Sequence, residues 1–246
     1  MIEGVLFDLD GTLFDHRGAA EEAVRQVADR FRPVIGRDEL LGAWFTSEAQ
    51  HMAEYLGGEC SFVEQRRRRV RDVTPLLGLD MSSSGTEVDE WFATNYLRSY
   101  EGAWRCFPDA LETLGLLRSG QQALVTGVVT NGDPTQQRLK VSRTGLLHLV
   151  GPVMTPGDLG FAKPDPSSFR MACRRLGVKP GRTIFVGDSL TTDAHGASRA
   201  GLIGVWLDRG PRGAASGAMN DEGQDPPVTR ITDLTQLPHL VRSLSV

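Results

Sequence analysis

The first apolar run of the chain ends in two acids: Gly4-Val-Leu-Phe-Asp8-Leu-Asp10-Gly-Thr12. On an extended strand, residues i and i+2 face the same side, so both carboxylates aim into one cleft, where they repel. Two acids in that position can divide the work when their surroundings push their pKa values apart. One stays ionised as a nucleophile, while the other carries a proton. Gly11 permits a sharp turn and Thr12 can cap the next element. Groups that would make the pair tolerable come later in the chain. Thr130-Asn131-Gly132 follows an apolar run and precedes a helical stretch, so a hydroxyl and backbone N–H groups at a helix start offer an anion site. Lys163 stands in Phe161-Ala-Lys-Pro-Asp-Pro166, where Pro164 biases it toward extended backbone. Phe185-Val-Gly-Asp188-Ser-Leu-Thr-Thr-Asp193 adds two more acids. Asp8, Asp10, Asp188 and Asp193 against one lysine are untenable in a low-dielectric cleft. A hard divalent cation resolves the conflict, and oxygen ligands with open water positions suit Mg²⁺.

Taken singly, each feature is ordinary: an acidic strand end is a solvated edge or a helix cap, and Thr-Asn-Gly is a turn. Their force lies in the elements that position them. Short apolar runs closed by glycine or polar residues recur at Val5–Asp8, Gly127–Thr130, Thr183–Val186 and Ile203–Leu207, with a weaker one at Leu149–Met154, interrupted by Pro152. Helical spacing fills the intervals at Asp109–Arg118, Thr135–Arg143, Pro166–Leu176 and Asp193–Ala200. This alternation predicts an α/β fold with a doubly wound parallel sheet, which binds ligands at the carboxyl ends of its strands. The four chemical features fall at four successive strand ends.

Residues 16–103 differ. They carry four helical stretches and no strand: Arg17–Phe31; one capped by Asp38 with Leu41, Phe45, Met52 and Leu56 on a face; one opened by the capping box Ser61–Glu64; and Thr86–Tyr100. They predict a helical bundle inserted into the core near the end of the first strand, giving a core of 1–15 and 104–246 and an insert of 16–103. Within the insert, Gln65-Arg-Arg-Arg-Arg69 fans its charges around a helix, so at most one or two face a cleft. Arg209–Thr229 reads as a mobile surface loop, and Leu234–Leu244 as a closing helix.

Asp8-Leu-Asp-Gly-Thr12, Thr130-Asn-Gly132, Lys163-Pro164 and Gly187-Asp-Ser-Leu-Thr-Thr-Asp193 together resemble the four motifs of the haloacid dehalogenase (HAD) superfamily. The likeness spans about 1–15 and 104–208, and the insert is similar to that superfamily's first type of helical cap. The resemblance implies a Rossmann-like core and a nucleophilic Asp8 that becomes an aspartyl phosphate. It makes Asp10 the acid for the leaving oxygen and then the base for the attacking water. Mg²⁺ would be held by the Asp8 carboxylate, the Asp10 main-chain carbonyl and Asp188, supported by Asp193. Thr130, Asn131 and Lys163 would hold phosphate oxygens. Positioning and charge neutralisation are most of what phosphoryl transfer asks of a protein.

Within that superfamily, dehalogenation needs neither Mg²⁺ nor an acid at position 10, and the phosphonatase route needs a cap lysine. The only lysines are Lys140, Lys163 and Lys179, so the insert has none. A phosphomonoester hydrolase acting on a small phosphorylated metabolite is therefore expected. A phosphomutase or other phosphotransferase, and a non-catalytic ligand-sensing relative, remain as alternatives. A receiver domain, which also phosphorylates an aspartate, has neither the second acid nor such an insert.

Composition sets the outer limits. The 246 residues are 40% hydrophobic and 24% charged, with net charge −4, which argues against a general nucleic-acid binder. Three scattered cysteines, without a CxxC, predict neither a disulfide framework nor a zinc site, and a reducing cytoplasm fits. No basic segment leads into an apolar stretch near residue 1, and no apolar run approaches the ~20 residues of a membrane span, so no membrane partner is expected. Oligomeric state is left open.

Overall fold

The computed structural model describes residues 1–81, 84–119, 124–210 and 226–245. It separates into two compact units, Met1–Asp15 with Arg105–Val246, and His16–Trp104.

The first unit is built on six parallel strands: β1 (Gly4–Phe7), β2 (Val125–Val129), β3 (Val153–Met154), β4 (Thr183–Gly187), β5 (Ile203–Leu207) and β6 (Thr229–Ile231), in the order β3-β2-β1-β4-β5-β6. The expected α/β, doubly wound, Rossmann-like sheet is therefore what the chain forms. β1 and β4 are buried at every residue, which is why they read as continuous apolar runs and not as alternation. The connection leaves β1 for β2 on one side and returns with β4 on the other. The order thus reverses at β1, and the ends of β2, β1 and β4 lie side by side. Below that edge, Leu6, Val129, Met154, Phe169 and Phe185 share one core, with the Phe169 and Phe185 rings edge-on at 4.8 Å.

Two strand expectations needed correction. The run Leu149–Met154 shortens to β3 alone, the strand beginning directly after Pro152, which has no N–H to give a ladder. β6 was not foreseen: it is an edge strand in which only Ile231 is buried. The loop read over Arg209–Thr229 falls largely on residues 211–225, outside the described residues.

The second unit contains α1 (His16–Phe31), α2 (Arg37–Leu56), α3 (Phe62–Val73), α4 (Gly85–Trp91) and α5 (Arg98–Gly102). A π-helical stretch, Phe92–Leu97, joins the last two, so the single stretch expected over Thr86–Tyr100 is interrupted. The cap of α2 is Gly36, with Asp38 inside the first turn where its charge favours the helix dipole. Ser61 does cap α3 through the Glu64 N–H, at 3.1 Å, while the Glu64 carboxylate accepts from Arg71 at 3.0 Å. The interior is aromatic: Trp44 stacks on Tyr96 at 4.1 Å between ring centroids, and Tyr96 on Tyr100 at 5.7 Å.

The arginine run disperses as helix geometry requires. Arg66 lies over the Phe62 ring, Arg67 grips Asp89 with two hydrogen bonds, and Arg68 donates to Glu54. Arg69 alone turns inward, where it is buried and bonded to Glu48. Once the chain has returned to the first unit, α6 (Pro108–Ser119) precedes β2 and α7 (Pro134–Arg143) succeeds it. Among the described residues no helix is long and apolar enough to cross a membrane.

Candidate active site

Asp8 is the first residue past β1. Its N–H donates to the Val186 carbonyl at 2.8 Å, which fixes the backbone against β4 while the side chain stands at the sheet's carboxyl edge. Asp188 follows β4 directly. Asp193 comes from the turn after it, where its Oδ2 accepts the Ser189 N–H at 3.1 Å. Three carboxylate oxygens, one each from Asp8, Asp188 and Asp193, lie within 4.8 Å of one another.

One cation is built in. The Lys163 ammonium donates to Asp8 Oδ1 at 2.6 Å and to Asp193 Oδ1 at 2.7 Å, and the side chain is 3% exposed. Burial works against its charge, yet Asp193 and Asp8 outweigh burial and raise its pKa above the ordinary lysine value. The lysine does not balance the acids. Burial, helped by the charges of Asp193 and Asp10, outweighs the pull of Lys163 and raises Asp8 to about 7. Asp188 is raised well above its usual value, by burial first and then by the charges of Asp8 and Asp193. The geometry and the charge deficit both fit a hard divalent cation bound by oxygen ligands.

Around this centre the turn after β2 supplies neutral donors. The Thr130 N–H donates to the Met154 carbonyl at 3.0 Å, holding the hydroxyl at the strand edge. The Asn131 side chain braces the lysine loop: its Nδ2 donates to the Lys163 carbonyl at 2.8 Å and its Oδ1 accepts the Lys163 N–H at 2.9 Å. This brace ties the turn after β2 to the loop that carries Lys163.

Asp10 stands apart from the three-carboxylate cluster. Its Oδ1 accepts from Lys140 Nζ at 2.6 Å and its Oδ2 from Gln137 Nε2 at 2.8 Å. Both partners come from α7, which starts just past Thr130-Asn-Gly132 and is capped by Asp133. Neither was singled out in the sequence, although two signals were present. Lys140 is one of only three lysines, and it lies three residues from Gln137 on one helical face.

Known proteins resemble this chain in sequence and in fold. The sequence profile described as haloacid dehalogenase-like hydrolase matches residues 2–201. A glyceraldehyde 3-phosphate phosphatase from Methanopyrus kandleri is 34% identical over 85% of this chain and 85% of its own length. A phosphoserine phosphatase from Thermus thermophilus is 36% identical over 53% of this chain and 49% of its own. In fold, the chain is similar to the HAD-hydrolase YfnB from Bacillus subtilis, bound to magnesium, with TM-score 0.78 and 23% identity over 98% of this chain and 99% of that one. A profile covering most of the chain, a relative aligned along most of its length and a six-stranded sheet of this order lead to one conclusion: the chain belongs to the haloacid dehalogenase-like hydrolase family.

Proposed function

We propose that this chain is a Mg²⁺-dependent phosphomonoester hydrolase that acts on a small phosphorylated metabolite through an aspartyl phosphate on Asp8. The observation that carries the reading is the approach of Asp8, Asp188 and Asp193 to within 4.8 Å beside the buried Lys163. The phosphatase names of the two relatives support the reaction class, and their different substrates leave the metabolite open.

The Asp8 carboxylate, the Asp10 main-chain carbonyl and Asp188 would hold the ion, with Asp193 behind them. When bound, it neutralises the acids and the phosphate charge that Asp8 must approach. In the first step a carboxylate oxygen of Asp8 attacks phosphorus and the bond to the ester oxygen breaks. That oxygen takes the electron pair, together with the proton of Asp10. In the second step water attacks the same phosphorus and gives a proton back to Asp10. The bond from phosphorus to Asp8 oxygen breaks, releasing phosphate and restoring the carboxylate. Lys163 and the Thr130 hydroxyl are assigned the equatorial oxygens, where fixed donors stabilise the transition state. The helical unit interrupts the chain between Asp15 and Arg105, directly after the nucleophile strand, and is assigned the choice of substrate on that ground.

The test is hydrolysis of p-nitrophenyl phosphate by the purified protein. Turnover is expected with Mg²⁺, and EDTA or Asp8→Asn should abolish it. A protein that takes up one phosphoryl group without releasing phosphate, or that turns over equally well in EDTA, contradicts the reading.

A further inference from the structure

We infer that Gln137 and Lys140 are positioning residues that lock the Asp10 carboxylate and the Thr130 hydroxyl into one rigid unit. The inference rests on the phosphatase reading above and adds to it what holds the proton donor in line. Asp10 lies between β1 and the turn at residues 11–13, and its backbone forms an isolated bridge with Phe14 and belongs to no strand. Its carboxylate is nevertheless gripped on both oxygens, by Lys140 at 2.6 Å and by Gln137 at 2.8 Å. Both donors are almost fully buried, Gln137 at 0% and Lys140 at 2% exposed. A lysine this deep costs desolvation unless a charge rewards it. Its Nζ meets the Asp10 oxygen on one side and lies 4.8 Å from the centre of the Phe14 ring on another.

Gln137 does a second job with the same nitrogen. Its two amide hydrogens go to different acceptors, Asp10 Oδ2 at 2.8 Å and Thr130 Oγ1 at 2.7 Å. Thr130 Oγ1 also accepts the Gly132 N–H at 3.3 Å. With both lone pairs of the hydroxyl occupied, its one hydrogen is the group left to point at a phosphate oxygen. A single amide thus sets the direction of the proton donor and of a phosphate donor together. The turn is shaped for it: a Cβ at Gly132 would lie 2.5 Å from Gln137 Cδ, so any other residue there would drive the amide away.

The geometry makes a specific demand on kinetics. An ester with a weakly basic leaving oxygen hardly needs Asp10, whereas one with a strongly basic oxygen needs its proton. The experiment compares kcat/KM of the full chain with Mg²⁺ on p-nitrophenyl phosphate and on phenyl phosphate, for wild type, Lys140→Met, Gln137→Leu and Asp10→Asn. For Lys140→Met, kcat/KM should fall on the order of 100-fold on phenyl phosphate and at least about tenfold less on p-nitrophenyl phosphate, copying the pattern of Asp10→Asn. Gln137→Leu should show the same leaving-group bias and also weaken inhibition by inorganic phosphate roughly fivefold, through Thr130. It carries the test by itself if Lys140→Met does not fold. Equal losses on the two esters would mean a merely structural role and would overturn the inference while leaving the phosphatase reading intact. A wild-type protein that hydrolyses neither ester would sink both.

Discussion

Replacing Gly11 with alanine should disable the site out of proportion to its effect on the fold. Gly11 has φ of +87°, and an added Cβ would lie 2.2 Å from Asp188 Oδ2 and 2.6 Å from its Cγ. The substitution carries two costs. The left-handed backbone costs a non-glycine residue about 1–2 kcal/mol, or some 2–8 °C in Tm for a protein of this size. The clash is separate. Cβ atoms essentially never come within 3.0 Å of a heavy atom, so the turn or the Asp188 carboxylate must move by roughly 1 Å, a displacement that costs catalysis on the order of 100-fold. Gly177→Ala isolates the first cost, because Gly177 has φ of +69° with nothing within 4 Å of its missing Cβ. Thermal unfolding and p-nitrophenyl phosphate turnover, measured on both variants with saturating Mg²⁺, separate the two effects. Similar Tm losses are expected, with the loss of turnover confined to Gly11→Ala. If Gly11→Ala keeps turnover within a fewfold of Gly177→Ala, the close fit of turn and acid does not matter to the chemistry, and the reasoning fails.

Three further outcomes are expected from the same structure. Burial opposes the charge of Glu48, but His16 and Arg69 outweigh it and hold its pKa at about 2; its stabilisation, about 3 kcal/mol, is complete above pH 4.5 and is lost as pH falls toward 2. The Tm gap between wild type and Glu48→Gln should therefore narrow from pH 7 to pH 3, and a constant gap would refute the assignment. Burial raises Asp8 to about 7, so protons compete with a cation there: the rise in Tm caused by Mg²⁺ should be full at pH 8, shrink below pH 7 and be absent in Asp188→Asn. Asp109 accepts two hydrogen bonds from Arg209, at 2.9 and 3.1 Å, with both side chains largely buried. Asp109→Ala strands that arginine and should cost about 3–5 kcal/mol in urea unfolding, with Asp109→Asn losing clearly less.

Much of the sheet could be read from the sequence because its central strands are buried on both faces. Ile203–Leu207 appears with the expected ends, and the runs at Val5, Gly127 and Thr183 appear within two residues of theirs. β6 gave no such signal, since Thr229 and Arg230 are exposed and only Ile231 is covered. In the second unit the interruption at Phe92–Leu97 is a matter of hydrogen-bond register, which side-chain periodicity does not record. At the site, acids placed just past strand ends were visible because a carboxylate after an apolar run is chemically conspicuous. Gln137 and Lys140 were not, because on a short helix with little amphipathic contrast they look like any polar residues. Only the fold shows that this face of α7 is turned toward Asp10 and buried.

The glycines of the motifs carry a further point about how such a site is encoded. Turn geometry accounts for one of them: of Gly11, Gly132 and Gly187, only Gly11 has positive φ. The other two adopt backbone open to any residue, yet a Cβ at Gly132 would sit 2.5 Å from Gln137 Cδ and one at Gly187 would sit 2.3 Å from Asp193 Cβ. At all three positions the missing side chain leaves the space that a charged or hydrogen-bonding group occupies: Asp188 beside Gly11, Gln137 beside Gly132, Asp193 beside Gly187. Packing acids this tightly raises their mutual repulsion, and the structure places opposing charge at the same sites, Lys163 between Asp8 and Asp193 and Lys140 on Asp10. The glycines let the acids converge and the lysines offset part of their repulsion, so substitution of either class should damage the site while the sheet beneath it persists.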